Sequence, residues 1–120
     1  MRVIYKKPGK APEAIHIENT LEALQGAVGG YIEVVDLDGA ALIVNEEGRL
    51  LGLDDNFVIQ TPGGAKEFIC GAAVFCGIDG EDFCDVPRKL EALIMSEWRE
   101  RRRKHTTRVR KEKTNDVLLH

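Results

Sequence analysis

The stretch YIEVVDLDGAALIVN, residues 31–45, decides the fold class of this 120-residue chain. In residues 31–37 apolar and polar side chains alternate, with Ile32 and Val34 on one face, and such alternation is typical of a half-exposed strand. Asp38-Gly39 is a turn signal, and residues 41–45 follow it as a hairpin partner. The stretch therefore predicts a β-hairpin within an antiparallel sheet.

The residues before this hairpin predict two more strands and a helix. Residues 2–5 form a short apolar strand, and residues 13–18 alternate around Ile15 and Ile17 as a half-exposed one. Asn19 or Thr20 is a typical N-cap for the helix that follows, and Gly29-Gly30 is a typical end.

The residues after the hairpin predict a loop, a buried strand and a long helix. Pro62-Gly63-Gly64 places residues 60–66 in a loop, and the apolar run FICGAAVFCGI, residues 68–78, predicts a buried central strand in which Gly71 marks a bulge or a close contact. The helix should start near Val86-Pro87, with Asp85 as its N-cap. An apolar stripe at helical spacing comprises Val86, Leu90, Leu93, Ile94 and Trp98.

Together these elements predict an α+β fold, in which a small, mostly antiparallel sheet carries one short helix and a long basic C-terminal helix. We expect an acidic domain over residues 1–87, a basic helix or arm over residues 88–113 that packs through its first turns, and a tail over residues 114–120. The chain has no run of 18 apolar residues, so we expect no membrane span. The absence of an apolar leader and the three irregularly spaced cysteines favour a reduced protein of the cytoplasm.

The charge of the chain is divided between these parts. Residues 1–87 contain 6 Lys/Arg and 15 Asp/Glu, a net charge of −9, and residues 88–113 contain 11 Lys/Arg and 4 Glu, a net charge of +7. Residues 99–108 contain no apolar side chain. A segment this basic is typical of contact with an anionic partner, although a solvated helix end, or docking on an acidic face of the same or another copy, is also compatible with it.

The sequence offers no recognisable catalytic set. Ser96 is the only serine, and no nucleophile has a base beside it. In one strand, Cys70 and Cys76 would lie roughly 20 Å apart, too far for a shared zinc site. The acidic residues of 79–85 could bind a cation but are better explained as a polar turn. We therefore predict a protein that is not an enzyme and uses no cofactor or metal.

A resemblance to a known family adds context. The residues IENTLEALQGAVGGYIEVV from Ile17, the block NEEGRLLGL over residues 45–53, and GIDGEDF at the end of the strand resemble a small domain family of unknown function. The resemblance covers about residues 3–85, and family members occur in bacteriophages, plasmids and integrative elements. It implies a counter-defence or accessory role in a bacterial host cell, without a reaction. Other members have a short acidic or neutral helix after GEDF, so the basic arm is a departure from the family.

Two functions follow as hypotheses. The first is a binding protein that sequesters an anionic, nucleotide-like small molecule or engages a host defence protein. Its expected ligand-binding residues are Asn45, Glu46, Asn56, Trp98, Arg99, Arg101 and Arg102. The alternative is a nucleic-acid- or protein-binding adaptor that acts through residues 99–113. Its expected contacts are Arg101, Arg102, Arg103, Lys104, Arg108 and Arg110.

Two structural expectations accompany these hypotheses. Because body and arm carry opposite charges, we expect a homo-oligomer with Trp98 as an interface anchor. Because the segment from Asn45 to Asn56 is rich in turn-forming residues, we expect it to lie at the surface.

Overall fold

The computed structural model describes residues 1–61 and 63–111, with side chains up to Arg103. The described chain is α+β and mostly antiparallel, as the sequence predicts. The strands are β1 (Arg2–Lys6), β2 (Glu13–His16), β3 (Ile32–Asp36), β4 (Ala40–Asn45), β5 (Asp55–Gln60), β6 (Lys66–Cys70), β7 (Ala73–Asp79) and β8 (Asp82–Cys84), and the helices are α1 (Leu21–Val28) and α2 (Arg88–Lys111).

The strands form two sheets. The main sheet has six strands in the order β2-β1-β7-β4-β3, with β8 paired to β7. Every neighbouring pair in it is antiparallel, and β3 and β4 form the predicted hairpin, in which Ile32 lies opposite Asn45. Strands β5 and β6 form a separate hairpin.

Both faces of the main sheet are covered. Helix α1 packs on one face, where Leu24 and Val28 meet Ile43 and other residues of the central strands. The opposite face carries the β5–β6 hairpin and the first turns of α2, with Leu42 and Phe75 in its core. Strand β4 lies between the two layers and is buried along its whole length. A strand covered on both sides has no polar face, which explains the continuous apolar run in its sequence.

Helix α1 begins and ends at the residues that the sequence predicts. The Thr20 hydroxyl accepts a hydrogen bond from Ala23 N, 3.1 Å away, and so satisfies one unpaired amide of the first turn. Gly29 follows the helix with φ 78°, a left-handed conformation that costs glycine little.

The prediction of one continuous strand over residues 68–78 is wrong. The chain turns at Gly71, where φ is 85°, so β6 belongs to the hairpin and β7 to the main sheet. A Cβ at Gly71 would lie 2.7 Å from Leu53 Cδ1. The run is apolar throughout because both segments contribute to the same core, so composition alone could not reveal the turn.

Helix α2 starts within one residue of the predicted position, but the predicted role of Asp85 differs. The helix begins at Arg88, and Asp85, expected as its N-cap, instead accepts a hydrogen bond from Arg2 N at 2.9 Å. Along the predicted stripe, Val86, Leu90, Ile94 and Trp98 face the core, whereas Leu93 is 57% exposed. No helix among the described residues is long and apolar enough to cross a membrane.

Candidate functional site

Two side-chain contacts hold helix α2 against strand β1. The Arg2 guanidinium donates to both carboxylate oxygens of Glu91, with distances of 3.0 and 2.8 Å. At the other end of the strand, the Lys6 ammonium lies 4.8 Å from the centroid of the Trp98 ring. Four residues of strand span about 13 Å and seven of helix about 10 Å, so the two elements run side by side in the same direction.

The second contact belongs to a group of interacting side chains that we call the lysine cluster, which comprises Lys6, Asn56, Trp98 and Arg102. Lys6 is 1% exposed, and its ammonium donates to Asn56 Oδ1 and to the Lys7 carbonyl, both at 2.8 Å. The Asn56 amide nitrogen donates in turn to the carbonyls of Lys6 and Gly71, also at 2.8 Å. Asn56 thus joins β5, β1 and the turn between the two sheets.

Burial changes the acid–base chemistry of Lys6. Desolvation lowers the pKa of its ammonium to about 8, because the charged form loses more hydration than the neutral amine. At neutral pH most of the side chain is still protonated. The cation faces the electron-rich ring of Trp98, an arrangement that favours the charged form.

Two cationic side chains already contact the ring of Trp98. The residue is 8% exposed. Arg102 follows it by one helical turn, and its guanidinium lies 5.6 Å from the centroid of the ring. With Lys6 and Arg102 both over the ring, stacking of a nucleotide base on it would require one of them to move.

A second feature is the hairpin groove, a cavity of about 220 Å³ between the β3–β4 hairpin and β6. Its floor is apolar, with Val35, Val44 and Ile69 buried at the base. The charged side chains that line it are Glu33, Glu46, Glu67 and Arg49. Three carboxylates and one guanidinium give the groove a net charge of −2, which disfavours an anionic ligand.

The segment after β4 shapes one wall of the groove. The side chain of Asn45 is buried, where its amide donates to the Val28 carbonyl at 3.1 Å and accepts from Glu47 N at 2.8 Å. Gly48 lies against β6, since a Cβ there would come within 2.7 Å of the Cys70 carbonyl oxygen. The expectation that this segment lies at the surface holds for Glu46 but is wrong for Asn45 and Asn56, which are buried because their amides bond to backbone groups of neighbouring elements.

Beyond Trp98, α2 continues as what we call the basic segment, residues 99–111. Thirteen residues at 1.5 Å each extend it by about 20 Å. Arg101 pairs with Glu97 at 3.6 Å and Arg103 pairs with Glu100. Arg99 and Arg102 are exposed and, among the described side chains, form no ion pair with a carboxylate.

The structure therefore divides the residues predicted to bind a small ligand. Asn45 and Glu46 border the hairpin groove, Asn56, Trp98 and Arg102 belong to the lysine cluster, and Arg99 and Arg101 lie further along α2. The residues predicted for nucleic acid all lie in α2, and the side chains of Lys104, Arg108 and Arg110 lie outside the described part.

Sequence reasoning missed Lys6 and Arg49, and it considered Cys70 only as a zinc ligand, not as part of a groove. Alternation along β1 does place Lys6 on the face of the buried Ile4, the one available signal. Cys70 lines the groove, and its thiol donates to Asp55 Oδ1 at 3.6 Å. Among the described residues, no three His, Cys, Asp or Glu side chains are grouped closely enough to hold a metal ion.

Comparison with known protein families gives one match. Residues 1–100 match the family described as a domain of unknown function, DUF3846. The chain belongs to this family. No curated protein and no solved structure matches the chain.

The family match covers the packed turns of α2 but not most of the basic segment. The family's domain includes the main sheet, the hairpin groove, the lysine cluster up to Trp98 and the packed turns of α2. It ends at Glu100, so almost all of the basic segment lies beyond it. The match is wider than the resemblance expected from sequence motifs, since it includes the first three turns of the helix.

Proposed function

We propose that this chain is a non-enzymatic binding protein that engages nucleic acid through its basic segment, as an accessory or counter-defence factor of a phage or mobile element in a bacterial host cell. The observation that carries this proposal is the continuation of α2 past Trp98 as one helix, about 20 Å long, whose side chains are almost all polar or charged. Residues 99–111 contain eight Lys/Arg and one Glu, a net charge of +7.

Charge distribution limits how such a partner would bind. Phosphate groups attract the basic segment and are repelled by the body, whose net charge is −9 over residues 1–87. Contact is therefore confined to the basic segment, where Arg99 and Arg102 are the described arginines that form no ion pair with a described carboxylate. Such contact is independent of sequence, because it reads phosphates rather than base edges.

The second candidate is sequestration of an anionic, nucleotide-like small molecule, supported by Arg49 beside Asn45 and Glu46 in the hairpin groove. Three points rank it lower. The groove is acidic overall, its volume of about 220 Å³ is below the roughly 300–1,000 Å³ typical of small-molecule sites, and Trp98 is already covered by two cations.

Fluorescence anisotropy with labelled duplex DNA at several salt concentrations tests the first candidate. Replacing Arg99 and Arg102 with Gln should weaken binding and reduce the log–log salt slope by about 1.8, the sum for two phosphate contacts. The matched control is Arg88→Gln with Lys89→Gln, which removes the same charge from the exposed start of the same helix. Equal losses in both variants, or no DNA binding by the intact chain at physiological salt, would refute the proposal.

Native mass spectrometry of the purified protein addresses the second candidate. A bound anionic compound that is lost in Arg49→Gln and retained in the Arg99/Arg102 variant would reverse our ranking of the two functions.

A further inference from the structure

We propose that the hairpin groove receives an arginine side chain from the basic segment of a second copy of this chain, so that copies associate head to tail. This proposal shares the basic segment with the nucleic-acid function, but it adds the hairpin groove as a second surface and requires no nucleic acid, so it is tested without nucleic acid. Four features of the described residues lead to it.

The first feature is the chemistry of the groove. Its buried floor of Val35, Val44 and Ile69 suits the aliphatic part of a long side chain, and the three carboxylates at its sides suit a terminal cation. A guanidinium is the side-chain cation best matched to carboxylates, because its planar fork donates to two oxygens at once.

The second feature is size. A volume of about 220 Å³ is small for a nucleotide-sized ligand, and it suits one large side chain. The rim around it is apolar and exposed: Leu50 is 88% exposed and Phe68 is 57% exposed, although both border the groove. Exposed apolar side chains beside a cavity are typical of a protein contact, and an aromatic side chain such as Phe68 can also attract a cation.

The third feature is the occupant's charge. The same chain supplies the complementary partner, since its body has a net charge of −9 and its basic segment a net charge of +7. Arg99 and Arg102 are the arginines of that segment that form no ion pair with any carboxylate among the described side chains.

The fourth feature is the direction of helix α2, which favours a contact between two copies over one within a single chain. Helix α2 is continuous from Arg88 to Lys111 and is fixed on β1 by Glu91 and Trp98, so the basic segment keeps the direction of the packed turns. No described side chain of α2 lines the hairpin groove of its own chain. A helix in one copy that meets a groove in the next makes a heterologous contact, which builds rings or open chains rather than a symmetric dimer. Trp98, buried within its own chain, is not the anchor.

Sedimentation velocity without nucleic acid tests the proposal. At low salt the intact chain should show an average mass above 13.3 kDa that rises with protein concentration and falls as salt is added. Glu46→Lys with Glu67→Lys changes the net charge of the groove from −2 to +2 and should leave a monomer. The matched control is Glu18→Lys with Glu81→Lys, which changes the total charge equally at exposed positions outside the groove and should associate better than the groove variant.

Mixing the groove variant with a variant of the helix gives a sharper test than either variant alone. Arg99→Glu with Arg102→Glu should also leave a monomer, but an equimolar mixture of this variant with the groove variant should form a heterodimer, because the intact basic segment of the groove variant meets the intact groove of the other variant. A monomeric intact chain at every concentration and salt, or a groove variant that associates as the intact chain does, would overturn the proposal. So would a mixture in which two folded variants, each with the circular dichroism spectrum of the intact chain, fail to combine.

Discussion

Replacing Lys6 with Met should remove a pH dependence of stability that the intact protein has. Burial lowers the pKa of Lys6 to about 8 in the folded chain, whereas a lysine in the unfolded chain titrates near 10.4. Below pH 8 both states are protonated, and the folded state carries the full desolvation cost of the cation. Between pH 8 and about 10.4 the unfolded state binds more protons, so the free energy of unfolding rises with pH.

The expected size follows from the two pKa values. The intact chain should gain about 1.3 kcal/mol in free energy of unfolding between pH 7 and pH 9, relative to Lys6→Met. At a single pH the comparison is less informative, because the variant avoids the desolvation cost but also loses the hydrogen bonds to Asn56 and to the Lys7 carbonyl.

Urea denaturation of both proteins at several pH values, followed by the fluorescence of the single tryptophan, measures this difference. Lys7→Met is the matched control, since it makes the same change at the exposed neighbouring position and should leave the pH profile parallel to that of the intact chain. A difference between intact chain and Lys6→Met that stays constant from pH 7 to pH 9 would show that the energetics assigned to Lys6 are wrong.

Five further substitutions test side-chain packing, backbone strain and helix capping in urea denaturation. Trp98→Ala should cost about 3–5 kcal/mol and release α2 from β1, visible as loss of helical circular dichroism. Asn56→Ala should cost at least about 2 kcal/mol, because it leaves the buried Lys6 ammonium without one acceptor; a smaller cost would show that water replaces the amide. Gly48→Ala should cost about 1–3 kcal/mol through contact with the Cys70 carbonyl, whereas Gly52→Ala meets no atom nearby and tests only backbone strain at φ 69°. Thr20→Ala should cost about 1 kcal/mol through loss of the N-cap, and an unchanged unfolding midpoint would contradict that role.

Elements defined by neighbouring residues could be predicted from the sequence. The hairpin of residues 31–45 is predicted by its alternating apolar and polar residues and by its turn residues. The ends of α1 are predicted by Thr20 and Gly29. The division of residues 68–78 could not be predicted, because segments that contribute to one core are apolar on either side of the turn.

The site could be predicted only in part. The basic segment is visible as composition, but the burial of Lys6 depends on Asn56, 50 residues later, and on Trp98 in the last helix. Lysine is almost never fully buried, so no local pattern would place it in a core. The hairpin groove likewise combines β3, β4 and β6, and only the tertiary structure brings Arg49 and Glu67 to the same cavity.

The position of β1 has a consequence for how the chain folds. This strand comes first in the sequence, yet it pairs with β7 around Val74 and holds residues of the last helix through Arg2 and Lys6. The contact between Arg2 and Glu91 joins residues 89 positions apart, so forming it has the entropic cost of closing a long loop. Such distant pairings are typical of domains that fold in milliseconds to seconds. On the ribosome, β1 must wait for almost the whole domain to emerge, and until then the central strands lack a neighbour on one edge.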